Sequence, residues 1–159
     1  MSEIISAVVK FVVISVIVLG CFWLFKHRTR ASIEQGDKSM DTTAFPEGGY
    51  SVDTSIETVA GIRSGNYVAY RLPKDPATTR IARVIGVEGN RIELTATEVR
   101  VNDAALTKRT EANGWTIPET LVPRGCVYVL ADDTFSGVDS RQIGPVPFTY
   151  IVGTVKPSR

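Results

Sequence analysis

From Ile4 to Phe25 the chain is almost continuously apolar, IISAVVKFVVISVIVLGCFWLF, and past residue 38 short alternating runs take over. A helix rising about 1.5 Å per residue would carry such a stretch across a hydrocarbon core of roughly 30 Å. The pattern therefore predicts a three-residue tail (1–3) followed by one transmembrane helix over 4–25. Ile4 and Phe11 belong to its lipid-facing run, Lys10 is close enough to one end to snorkel, and Trp23 with Phe22 suits an interfacial belt. A cleaved signal peptide would have a shorter apolar core and a small-x-small site after it; here KHRTR follows, so the segment reads as a retained anchor. Residues 26–38 read as a basic juxtamembrane segment and polar linker, and 39–159 as one further domain.

Within that domain the apolar positions mark Tyr50–Val52, Tyr67–Leu72, Arg80–Gly86, Arg91–Thr95, Glu98–Asn102, Cys126–Ala131 and Tyr150–Val155 as strands. Several alternate by side, as in Arg80-Ile81-Ala82-Arg83-Val84-Ile85, and Gly, Pro, Asn and Asp punctuate them. Short strands at this spacing predict a mainly β fold, a sandwich or partly open barrel. No stretch after residue 30 has a 3.6-residue apolar stripe over ten or more positions. Lys108–Pro118 is polar and reads as a surface loop.

Composition narrows the chemistry. With 159 residues, 22% charged and a formal net charge of +1, the chain gives no reason to expect nucleic-acid binding. His27 is the single histidine, so neither a histidine triad nor a zinc centre is expected, and no metal or cofactor is called for. Cys21 and Cys126 lie in unlike surroundings and are not expected to pair. Lys26, Arg28 and Arg30 follow the apolar run, which by the positive-inside rule alone argues for a cytoplasmic domain.

Three blocks then carry a resemblance. The first is Ser39-Met40-Asp41-Thr42-Thr43. The second is Gly65-Asn66-Tyr67-Val68, followed by Leu72-Pro73-Lys74-Asp75-Pro76 and Ile81-Ala82-Arg83-Val84-Ile85-Gly86. The third runs from Val122-Pro123-Arg124-Gly125 through Ala131-Asp132-Asp133 and Val138-Asp139-Ser140-Arg141 to Gly144-Pro145-Val146-Pro147 and Ile151-Val152-Gly153. In order and spacing they resemble the signature blocks of the type I signal peptidases. The resemblance implies a signal-peptidase-like β-domain anchored in an inner or plasma membrane by a single pass, with the domain on the extracytoplasmic side, against the basic cluster. It also implies a serine nucleophile paired with a lysine general base, which must be neutral and therefore buried to accept a proton.

Carried over residue by residue, the nucleophile slot is Ser39 and the lysine slot is Ala82. The serine that would orient that lysine is replaced by Gly137. Asp132, Asp139, Ser140 and Arg141 fall in structural positions, Asp139 and Arg141 as a bracing ion pair. A second register, on Thr43-Ala44-Phe45-Pro46-Glu47-Gly48-Gly49-Tyr50, resembles the conjugation-type pilin-processing peptidases and puts Ala44 in the nucleophile slot. Either register lacks the base, and Lys38 and Lys74 read as surface lysines. The expectation is a non-catalytic homologue that binds exported polypeptide or serves as an accessory subunit of a membrane complex, in contact with the lipid bilayer. The alternative is an active endopeptidase cutting exported precursors after small residues, with Ser39 and an unusual base.

Overall fold

A computed structural model describes residues 2–26, 28–32, 40, 45, 49–54, 61–106, 114–132 and 137–157. The chain opens with helix α1, Ser2–Lys26, followed after one residue by strand β1, Arg28–Ser32. Side chains of α1 are described from Val9 to Phe22, and nearly all are exposed; Phe11 is 73% exposed. Ile4 and Trp23 lie in the same helix with their side chains outside that description. Among the described residues no helix is long and apolar enough to cross a membrane. The span expected over 4–25 is thus seen as a helix without being shown as a crossing. The expected linker is in part a strand, because β1 pairs antiparallel with β2, Gly49–Asp53, from Arg28↔Asp53 to Ser32↔Gly49.

Strands β3 (Tyr67–Leu72) and β4 (Asp75–Val87) follow, then β5 (Arg91–Leu94), β6 (Val99–Val101), β7 (Ala104–Ala105) and β8 (Ile117–Leu121). The chain closes with β9 (Cys126–Leu130), the one-turn helix α2 (Ser140–Ile143), β10 (Val146–Pro147) and β11 (Ile151–Val155). Seven strands form one sheet in the order β1-β2-β11-β3-β4-β9-β10, and four form a second in the order β7-β6-β5-β8. Every pairing is antiparallel, and the described strands form two open sheets rather than a closed barrel. Strand Ile117–Leu121 takes the end of the stretch expected as a loop; residues 108–113 of that stretch lie outside the description.

The period-2 pattern sorts side chains onto two faces of the large sheet. Val68, Tyr70, Ala82 and Val84 point to one face, where they pack with Ile62, Val127, Val129 and Val146. Ala69 and Ile81 point to the other, with Met40, Phe45, Tyr50, Val52 and Val155. A third cluster, with Ile85, Ile92, Leu94, Val99, Val122, Tyr128 and Leu130, joins the far end of β4 and β9 to the small sheet. Each fully buried Val, Leu or Ile contributes about 1.5–3 kcal/mol relative to exposure. Gly153 is required where β11 passes β2, because a Cβ there would overlap the Asp53 carbonyl oxygen.

Candidate functional site

Strand β4 runs through the centre of the large sheet, between β3 and β9. Its register places Ala82 opposite Val68 and Arg80 opposite Tyr70. Ala82 is 1% exposed and ends in a methyl group among valines. On the opposite face Arg83 makes a two-pronged ion pair with Asp132, Nε to Oδ1 and Nη2 to Oδ2, both 2.8 Å. The same guanidinium stands 4.5 Å from the centre of the Tyr67 ring. A fork-to-fork pair of this kind fixes direction as well as charge, so β4 and the end of β9 are held in register.

Beyond β9 the chain returns through Gly137 to α2. Asp139 is fully buried and caps this helix: its Oδ1 accepts the Arg141 N–H at 2.9 Å, and the Gln142 Oε1 accepts the Asp139 N–H at 2.8 Å. Its Oδ2 meets Arg141 Nη2 at 2.5 Å and also accepts the Ala131 N–H at 2.8 Å. Ser140 Oγ accepts the Val129 N–H at 2.9 Å. These last two bonds have one cause. Strand β10 pairs with β9 only at Val127 and Cys126, so the next outward N–H groups, at Val129 and Ala131, would be orphaned. The side chains of Ser140 and Asp139 satisfy them in place of a longer edge strand.

Two buried polar atoms near this pair have no partner among the described residues, the Tyr128 hydroxyl and Arg141 Nη1. Burial first, then the Asp139 carboxylate, pushes the Tyr128 phenol up to about 12, while Arg141 pulls the other way. Burial also raises the Cys126 thiol, with Glu88 adding to it, and both cysteines are free.

Of the residues singled out in the sequence, the structure brings Ala82 and the Gly137–Val138 step together through Tyr70. The Tyr70 hydroxyl donates to the Val138 carbonyl at 2.6 Å. Gly137 is buried, and its carbonyl accepts from Gln142 Nε2 at 3.2 Å. Ser39 lies outside the described residues, as do Lys38 and Ala44. Met40 is described, and it packs on the Ile81 face of β4, opposite the Ala82 face. Lys74 is exposed in the turn between β3 and β4, beside a hollow of about 430 Å³ lined also by Leu72, Ile143, Val146 and Tyr150. Ala82 lies seven positions beyond Asp75 along one strand, about 23 Å at strand rise, so Lys74 stands far from Ala82.

Tyr70 and Arg83 are the two residues of this region that the sequence reading passed over. Tyr70 occupies an inward position of its strand and reads there as ordinary core. Arg83 belongs to a quoted block, but its partner is 49 residues away.

A family model described as signal peptidase, peptidase S26, matches residues 3–158. The mitochondrial ATP-independent inner membrane protease subunit 1a of Arabidopsis thaliana is 34% identical over 89 residues, covering 56% of this chain and 45% of that protein. Human mitochondrial inner membrane protease subunit 1 is 32% identical over 95 residues, 60% of this chain and 48% of its own. The chain thus spans about half the length of the curated relatives it matches. A signal peptidase I from Enterococcus faecalis superposes with a TM-score of 0.48 at 20% identity, over 58% of this chain and 95% of that one.

Proposed function

This chain belongs to the peptidase S26 signal peptidase family, and from that premise we propose that it is a non-catalytic member that holds exported polypeptide or a partner subunit at a membrane. The observation that carries the reading is Ala82, a buried methyl group in the lysine slot. A serine hydroxyl attacks a peptide carbonyl only when a base takes its proton, and a methyl group accepts none. Loss of a general base commonly lowers the rate by roughly 10²–10⁴. Gly137 in the slot of the orienting serine supports the same reading, since base and orienting hydroxyl are absent together. Asp132, Asp139, Ser140 and Arg141 act in it as structural braces. Exported chains are extended, and an extended chain binds by adding main-chain hydrogen bonds to a strand, which requires no dyad.

Membrane attachment is part of the proposal. The exposed apolar side chains of α1 between Val9 and Phe22 support it, as does the similarity to mitochondrial inner membrane protease subunits. In this reading 4–25 is a single-pass anchor in an inner or plasma membrane with the β-domain extracytoplasmic, against the charge bias of Lys26, Arg28 and Arg30. The relatives' designation as subunits supports a partner within a membrane complex.

The test is cleavage of a membrane-anchored precursor bearing an Ala-x-Ala site, by the purified protein beside Ser39→Ala. The expected result is an intact precursor in both. Cleavage that disappears in Ser39→Ala would instead establish the alternative, an active serine endopeptidase with an unusual base.

A further inference from the structure

Tyr70 and Ala82 are diagonal neighbours across the β3–β4 pair, since Val68 faces Ala82 and Tyr70 faces Arg80. They share one buried cluster, and each is 1% exposed. At this separation an aromatic ring reaches the diagonal residue, and a methyl group at 82 leaves it room. The far end of the ring donates its hydroxyl hydrogen to the Val138 carbonyl at 2.6 Å. Val138 stands between Gly137 and Asp139, and Asp139 in turn accepts the N–H groups of Ala131 and Arg141. One side chain therefore links the small residue on β4 to the small residue before α2.

We infer that Tyr70 is a positioning residue that ties the 137–141 segment to β3 through the Val138 carbonyl, taking over mechanically the contact that a lysine at position 82 and an orienting serine at position 137 would make. The inference rests on the non-catalytic reading of Ala82 and Gly137. The chemistry of the donor matches that role. A phenol ordinarily ionises near pH 10, so at neutral pH it donates a hydrogen bond but does not accept a proton. The bond thus holds the 137–141 segment in place while supplying no base.

The test uses the full chain in lipid nanodiscs and backbone hydrogen exchange read at single amides. Tyr70→Phe keeps the ring and removes the hydroxyl; p-aminophenylalanine at position 70 keeps the ring and restores a donor. Expected is exchange about tenfold faster at the Ala131 and Arg141 amides in Tyr70→Phe, the effect of losing one hydrogen bond of ordinary strength. The β3–β4 ladder should be unchanged, and the amino variant should recover most of the protection. Equal exchange in wild type and Tyr70→Phe overturns the inference. So does failure of the amino variant to recover protection, because the phenylalanine effect would then be one of packing. A wild-type chain that cleaves the precursor defeats the non-catalytic reading instead and leaves the exchange result as a separate finding about the loop.

Discussion

Tyr128 shows how a single side chain sets a pH limit on the fold. Its hydroxyl is buried without a partner among the described residues, and its phenol is raised to about 12 by burial and by Asp139. A raised folded value on a group that is neutral when protonated means the unfolded chain releases the proton first. Stability is therefore whole below pH 10, where the unfolded phenol begins to ionise, and is lost as pH rises through 12. Tyr128→Phe should abolish that alkaline loss in urea unfolding followed from pH 9 to 12. At pH 7 it should leave stability equal or higher by about 1 kcal/mol, because an unsatisfied buried hydroxyl is removed. A variant less stable than wild type at pH 7 would mean the hydroxyl has a partner after all. Ala82 is the other decisive residue. Its identity was legible in the sequence through the block around it, but its burial and its neighbour Tyr70 depended on strand pairing.

Among the elements, α2 is only one turn long and gains its stability from what Asp139 does. The carboxylate caps the helix, neutralises Arg141 and supplies the acceptor that the short β10 cannot give Ala131. Asp139→Ala should lower stability by about 3–5 kcal/mol in denaturant unfolding, since it leaves a buried guanidinium without a counter-charge. Asp139→Ala combined with Arg141→Leu should recover part of the loss; a double variant as unstable as the single would put the cost in the cap rather than in the charge. The ion pair itself was read from the sequence, whereas its second task at the sheet edge was not, because nothing local tells where β10 ends. The strands with clear alternation, Tyr67–Leu72 and Arg91–Leu94, lie where the pattern put them. Strand β1 was missed because its segment is polar and basic, and it is held by pairing with β2 rather than by an apolar face of its own. The two-residue β7 follows from Asn102 and Asp103, both at positive φ, 49° and 66°, which turn the chain back on β6.

At the scale of the whole molecule an exposed apolar helix is joined through a single residue to the edge strand of a seven-stranded sheet. If α1 anchors the protein, the full chain should stay with the membrane pellet after alkaline carbonate extraction, and a chain beginning at Arg28 should be released. Release of the full chain would remove the anchor from the proposal. What the sequence by itself determined is the family blocks and their order, and which residue types stand at the positions that the resemblance assigns to the lysine and its orienting serine. These are matters of identity along the chain and need no third dimension. Only the tertiary structure decided that Ala82 and Tyr70 share one buried cluster, that Tyr70 reaches Val138 across 68 positions, and that Arg83 meets Asp132. Alternation along a strand tells which side a residue faces, but the partner it meets there depends on register and on contacts between distant strands, which no local pattern encodes.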